Sequence, residues 1–299
     1  MAVVGSGGFI GRRACAALEE NGHRVLGFDR SRPVSGPRGL SPEVAAADWV
    51  VWAASSINPM IAENDPDRVG LDLEAFDLLL AGLAGAGSNA RVLLLSSGGT
   101  VYDEAADPPY AETSPTRPRN AYGRAKLALE HRLHDAAAPG LVLRVSNAYG
   151  PGQPVAPGQG VVSHWLHAVA GGQDLHVFGD MSVARDYVHV DDVVRALVLA
   201  VEAGAPPDGV LNVGAGEPTS LEHLLATVRA TVGGTPVVVH HHPSRSFDAR
   251  STWLDCRRAA ETLGWRPLTS LADGIAGTWR AVSAGSVARA AAPGAAGPR

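Results

Sequence analysis

Tyr122 and Lys126 stand four residues apart in the stretch NAYGRAK, and together such side chains can do proton chemistry. On a helix, positions i and i+4 share one face, so phenol and ammonium project side by side. A free tyrosine, with a pKa of about 10, is a poor base at neutral pH. A nearby ammonium favours the phenolate, and so does a cationic ring bound beside it. Lys126 is the sole lysine among 25 Lys and Arg residues. A compact ammonium can also donate to sugar hydroxyls where a planar guanidinium would be too bulky. The Y-x-x-x-K spacing alone is common on ordinary exposed helices, so its meaning comes from what precedes it.

What precedes it is a glycine turn. Gly5, Gly8 and Gly11 follow the apolar Ala2–Val4 and open a helical pattern. Glycines there permit a tight turn and let the backbone approach a pyrophosphate, while the helix N-terminus offers unpaired N–H groups. Asp29 ends the next strand-like stretch, HRVLGFD. Its carboxylate can accept from an adenosine ribose and would repel a 2′-phosphate, which favours NAD over NADP. Arg30 and Arg32 weigh the other way, since arginines can hold such a phosphate. The expected cofactor contacts are Gly5, Gly8, Phe9, Ile10, Gly11, Asp29, Arg30, Ala53, Ala54, Tyr122 and Lys126.

Positioning these groups requires alternating elements. HRVLGFD, DWVVWAAS (48–55), ARVLLLSS (90–97) and LVLRVS read as buried strands, and PDRVGLDLEAFDLLLAGLAGAG between two of them has helical periodicity. Strands alternating with helices imply right-handed βαβ units. The expected fold is α/β: a Rossmann-like doubly wound parallel sheet with a smaller mixed α/β C-terminal substrate domain. Residues 1–147 and about 186–212 form the expected dinucleotide-binding domain, and about 148–185 and 213–282 the substrate domain. A Pro/Gly loop begins near Tyr149, helices follow around 160–171 and 191–203, and PVVVHHH reads as a strand. The Ala/Gly/Pro/Ser-rich tail, 283–299, is expected to be disordered.

Bulk properties set limits. With 45% hydrophobic and 18% charged residues, the chain can bury a core and does not read as disordered. A net charge of −5 offers no electrostatic case for nucleic acid. Cys15 and Cys256 lie far apart, so neither a disulfide framework nor a cysteine zinc site is expected, and a reducing cytoplasm fits. There is no basic region before an apolar one at the N-terminus and no apolar run of membrane-spanning length, so neither a signal peptide nor a membrane partner is expected. His240, His241 and His242 alternate faces if they lie on a strand, so they do not converge, and no metal is expected. His164 and His167 read as polar helix positions, and Asp191 and Asp192 as helix N-terminal acids.

The ordered set GSGGFIG, SSGGTVYD, YGRAK, LRVSNAYGPGQ, RDYVHVDD, LNVGAGEPTSL and LGWRPLTSLADGI resembles the extended short-chain dehydrogenase/reductase family. Within it, the chain is similar to the nucleotide-sugar epimerase/dehydratase branch, of the UDP-glucose 4-epimerase kind, from Val3 to about Trp279. The resemblance implies a bound nicotinamide cofactor, a nucleoside-diphosphate sugar, and a homodimer. It makes Tyr122 the acid–base group and Lys126 its partner. The Ser or Thr that completes the family's hydroxyl-binding site falls at Gly98, so Thr100 or Ser97 is expected to supply that hydroxyl. Strand-end capping would explain either residue equally simply. Relatives that dehydrate across C5–C6 carry T-D-E-V-Y there, and decarboxylating ones a glutamate just before V-Y. This chain has Gly98, Gly99 and Thr100, which argues against both reactions. C4 epimerisation through a transient 4-keto sugar is the implied activity, with nucleotide-linked 4-ketosugar reduction and a non-catalytic nucleotide-binding role as alternatives. Asn147, Arg185 and Arg245 match family positions near the diphosphate and sugar, although Arg185 could instead pair with Asp186, and Arg245 could sit in a solvated loop. The 31–48 stretch replaces the family's usual third strand and its adenine-side turn.

Overall fold

The computed structural model describes residues 1–36, 39–136, 138–204, 209–244 and 251–291. The chain opens with β1 (Ala2–Val4), three buried apolar residues, and α1 (Phe9–Glu20), whose Gly11, Ala14 and Leu18 face inward at helical spacing. After β2 (Leu26–Phe28) comes a small hairpin, β3 (Ser35–Gly36) and β4 (Gly39–Leu40), and a single turn, α2 (Pro42–Ala45). β5 (Trp49–Trp52) leads to α3 (Pro59–Asn64) and α4 (Pro66–Gly85). Each of these two helices starts on a proline behind a capping side chain: Asn58 accepts from Ile61 N–H, and Asp65 from Arg68 N–H. β6 (Arg91–Ser97), α5 (Ala121–Asp135) and β7 (Gly140–Val145) follow, with Asn120 capping α5.

β12 (Gly209–Val213) completes the main sheet, whose strand order is β12-β7-β6-β5-β1-β2. Every neighbouring pair in it is parallel. Strand side chains alternate between its two faces. Val3, Val51, Leu93, Leu95, Leu141 and Leu143 belong to one core, with Ala14 and Leu18 of α1 and much of α7 (Val190–Glu202). Ala2, Val4, Val50, Trp52, Leu94 and Val142 belong to the other, with Phe76, Leu79 and Leu83 of α4. β1 lies between β2 and β5, where the strand order reverses; crevices that take ligands form at such a switch point, outside the carboxyl ends of the strands. The sheet ends at β2, and the 31–48 stretch supplies the β3–β4 hairpin in place of a further parallel strand.

The second half contributes β8 (Asn147–Tyr149), α6 (Val161–Ala170), β9 (Leu175–Phe178), β10 (Ala184–Arg185) and β11 (Tyr187–His189). Beyond β12 come β13 (Thr219–Ser220), α8 (Leu221–Val232), β14 (Val239–His242), α9 (Arg257–Leu263) and α10 (Leu271–Ala291). Trp165 and Leu166 of α6, Leu175 and Val177 of β9, Leu224 and Val228 of α8 and Ile275 of α10 share a separate core. α10 runs to Ala291, and residues 292–299 of the expected tail lie outside the described residues. Asp192 also does more than favour a helix dipole. Its buried carboxylate accepts from Leu268 N–H at 2.9 Å and Thr269 N–H at 3.0 Å, tying the C-terminal segment to α7.

Candidate active site

The glycine turn follows β1 at the switch point. Gly5 has φ +86°, and a Cβ on it would stand 2.7 Å from the backbone nitrogen of Ala54. A side chain on Gly11 would meet the Gly5 carbonyl at 2.1 Å. Only glycine fits either place, so α1 starts directly on the turn while Ala53 and Ala54, at the end of β5, form the opposite wall. Gly8 caps α1 without a side-chain hydrogen bond, which leaves the helix N-terminus open to an anion, with Phe9 and Ile10 in its first turn. Asp29 Oδ1 accepts from Ser31 N–H at 2.8 Å and Ser31 Oγ at 2.6 Å, whereas Oδ2 is turned toward Gly7. These bonds hold the Asp29 carboxyl below its ordinary range. The crevice therefore has a backbone cradle for a pyrophosphate and an oriented carboxylate for a ribose, so its residues fit a dinucleotide. Arg30 is exposed at its edge, while Arg32 stacks 4.7 Å from the Phe28 ring centroid and reaches Glu43 at 3.5 Å.

Tyr122 and Lys126 share a face of α5, and Lys126 Nζ lies 5.6 Å from the Tyr122 ring centroid. Gly123 makes their placement possible, because a Cβ there would stand 2.3 Å from the Thr100 carbonyl oxygen. The first turn of α5 thus sits directly on Thr100. Thr100 Oγ1 donates to Ser97 Oγ at 2.9 Å, so the two candidate hydroxyls form one pair at the end of β6. Gly98 is excluded from that role by packing: its Cβ would meet Leu254 Cδ1 at 2.5 Å. In the protein alone, burial pushes the Tyr122 phenol up to about 12, and the Asp72 carboxylate adds to the rise. Burial pushes Lys126 down, while Asp72 and Glu130 pull it back up. The phenolate thus depends on further positive charge beside the ring, which a nicotinamide cation would supply.

Beneath the pair lies a buried polar network that sequence reasoning missed. Glu130, one turn on from Lys126, receives Arg144 Nη2 at 2.6 Å and also accepts from Ser96 Oγ. The Arg144 guanidinium stands 4.9 Å from the Tyr102 ring centroid, and Tyr102 donates to Asn212 Oδ1 at 2.6 Å. A charged i, i+4 pattern is visible in the sequence, but its partner strand is not.

Asn147 lies beside Gly99 and donates through Nδ2 to the Asp186 carbonyl at 3.0 Å. The Asp186 carboxylate is itself engaged by Ser146 Oγ and by the N–H groups of Ala215, Gly216 and Leu254, although burial still pushes it up. Gly98, Gly99, Asn147, Asp186 and Thr252 pack closely around one point, and among the described residues Thr252 Oγ1 is buried without a hydrogen-bond partner. Thr252 carried no motif to mark it. Arg185 sits at the same junction, since β10 pairs with β13 on one side and bridges Thr252 on the other. Arg245 lies outside the described residues. The Pro/Gly loop after β8 is fastened to the main-sheet half: Arg12 donates to the Gly152 carbonyl, Arg13 to the Pro151 carbonyl at 2.8 Å, and Asn58 to the Pro157 carbonyl at 3.2 Å. His240 and His242 do share a face, where they meet His176 of β9. Among the described residues, no His, Cys, Asp and Glu group could hold a metal ion, and no helix is long and apolar enough to cross a membrane.

Comparison with known proteins agrees with this architecture. The chain is 33% identical over 309 residues to the UDP-glucose 4-epimerase of Mycolicibacterium smegmatis, covering 92% of this chain and 96% of that protein. It is 31% identical over 317 residues to the dTDP-6-deoxy-L-talose 4-dehydrogenase (NAD(P)(+)) of Kitasatospora kifunensis, covering 96% and 97%. Its fold superposes with a TM-score of 0.82, at 27% identity and 97% and 99% coverage, on the crystal structure of UDP-glucose-4-epimerase from Stenotrophomonas maltophila with bound NAD and formylated UDP-arabinopyranose. A profile of the NAD dependent epimerase/dehydratase family matches residues 1–214, which hold both the glycine turn and the Tyr122–Lys126 pair, and the chain belongs to that family.

Proposed function

We propose that the protein is an NAD-dependent epimerase that inverts C4 of a nucleoside-diphosphate sugar. One observation carries the reading. The turn of α5 that carries Tyr122 and Lys126 packs through Gly123 on Thr100, whose hydroxyl pairs with Ser97, and residues 98–100 contain no carboxylate. Such a site has one acid–base group and lacks the second that dehydration needs.

Tyr122, as phenolate, takes the proton of the C4 hydroxyl, and Ser97 or Thr100 holds that oxygen in line. When bound, the nicotinamide supplies an acceptor and donor for the C4 hydride, and its positive charge favours the phenolate. Lys126 orients the nicotinamide ribose and adds to that charge. The 4-keto sugar turns over, and Tyr122 returns the proton to the oxygen of the inverted centre. Proton and hydride both come back, so the net reaction consumes no cofactor. Asn147, Arg185 and Arg245 hold the diphosphate, arginines being suited to forked, charge-assisted bonds. Gly5, Gly8, Phe9, Ile10, Gly11, Asp29, Ala53 and Ala54 hold the dinucleotide. NAD is favoured over NADP because Asp29 Oδ2 faces the turn.

Residues 1–147 and about 186–212 serve the cofactor, and about 148–185 and 213–282 the sugar nucleotide. The protein works in the cytoplasm as a homodimer. Leu71 and Leu78 support the dimer, being 63% and 53% exposed at helical spacing on α4. A 4-ketosugar reductase is the second reading, favoured by the Kitasatospora kifunensis relative and by the exposed Arg30.

The test is proton NMR of UDP-glucose, then of dTDP-hexoses, incubated with the purified protein without added cofactor. The C4 epimer is expected to accumulate to equilibrium. Tyr122→Phe is expected to lower kcat by about 10²–10⁴-fold while the protein still carries NAD. No inversion of any such sugar by a protein that releases NAD on denaturation would refute the epimerase. Oxidation of added NADH or NADPH by a 4-keto-6-deoxy sugar would establish the reductase.

A further inference from the structure

Asp72, in the second turn of α4, carries no motif and belongs to no assigned site, yet it holds the turn that continues the wall of the crevice. Its Oδ2 accepts from Ser55 Oγ at 3.0 Å, and Ser56 N–H lies 3.0 Å from Oδ1 and 2.9 Å from Oδ2. Ser55 and Ser56 continue from Ala53 and Ala54, the wall against which Gly5 packs. One turn earlier on the same helix, Val69 shares an apolar cluster with Ile57, Ile61, Ala125 and Tyr122. Asp72 stands three residues on from Val69, on the same face of α4, and its charge raises the Tyr122 phenol and the Lys126 ammonium alike.

We propose that Asp72 is a positioning residue of the reaction, holding the Ser55–Ser56 turn and placing a negative charge on the α4 face that Val69 turns toward Tyr122. The single oxygen of an asparagine in the Oδ2 place could accept from both Ser55 Oγ and Ser56 N–H, so the turn alone does not require a carboxylate. The charge has its own consequence: it opposes the phenolate while the crevice lacks a cation and favours the ammonium of Lys126. Other groups also face the pair: the Glu63 carboxylate of α3 accepts from the Ala121 N–H at 2.5 Å, Glu130 acts on Lys126, and the end of β6 contributes the neutral Ser97 and Thr100.

The proposal rests on Tyr122 being the acid–base group, and the test works without turnover. The phenolate is titrated by ultraviolet difference spectroscopy in the NAD-loaded protein, with Tyr122→Phe as the blank. Asp72→Asn keeps the acceptor and removes the charge. Without that charge the phenolate is easier to form, so its midpoint is expected to fall by roughly half a unit to one unit. If the protein is an epimerase, the acidic limb of kcat against pH moves down with it. Asp72→Ala also frees the turn and is expected to weaken NAD binding by about tenfold, measured by equilibrium titration, while Asp72→Asn stays close to the parent. A midpoint unchanged in Asp72→Asn, or NAD bound as tightly by Asp72→Ala as by the parent, overturns the proposal. A shifted midpoint in a protein that inverts no sugar sinks the epimerase reading instead and leaves Asp72 its role.

Discussion

Leu254 fills the space that a side chain on Gly98 would need, with Cδ1 2.5 Å from where its Cβ would stand. The missing hydroxyl at that position was legible in the sequence. Its cause was not, because Leu254 arrives from a distant segment that pairs with Tyr110. Gly98→Ser is therefore expected to overpack the site and destabilise the protein by about 1–3 kcal/mol, read as a lowered Tm. Adding Leu254→Ala should relieve the overlap, so the two effects should be non-additive. A loss in the double variant equal to the sum of the single losses would rule out the steric account. Tyr122 and Lys126 could be read early because helical spacing is local. Asp72 could not, since its place beside Ser55 and Ser56 comes from neighbours brought in by folding. Arg13 shows the same limit: its carbonyl partner in the loop after β8 leaves no trace in residue spacing.

α5 carries the acid–base pair, and its inner face is moored by charge as well as by packing. Glu130 and Arg144, 6% and 7% exposed at their side chains, join α5 to β7, and Ser96 adds β6. Glu130→Gln leaves a buried guanidinium without its counter-charge and is expected to cost about 3–5 kcal/mol in urea unfolding. Replacing both partners by apolar residues of similar volume should cost much less than the single change. If Glu130→Gln unfolds at the parent's urea midpoint, the pair is not a mooring. Periodicity revealed most elements of the main sheet, because two-sided burial writes continuous apolar runs such as Val92–Leu95. It failed where strands are short. RDYVHVDD divides between β10, β11 and the start of α7, since its pairings switch from β13 to β8 within a few residues. The shared face of His240, His242 and His176 required knowing that β14 lies beside β9.

For the whole molecule, the exposed leucines of α4 give the proposed homodimer a direct check. Leu71→Lys with Leu78→Lys is expected to convert a dimer to a monomer in sedimentation analysis, with the Tyr122 site left intact. A variant that sediments like the parent would remove α4 from the interface. The doubly wound class could be read from alternating elements, but the return of the chain to the first sheet could only be outlined. β12 adds to the open side of β7, after the intervening residues have built β8 to α7. That order has a consequence for biosynthesis. While the protein is being made, β7 leaves the ribosome with Leu141, Val142 and Leu143 along an unpaired edge, and its partner strand is not yet translated. An exposed apolar edge invites pairing with another nascent chain. The vulnerable interval closes only when residues 209–213 emerge, so a slow stretch of translation between β7 and β12 would lower yield without changing a single amino acid.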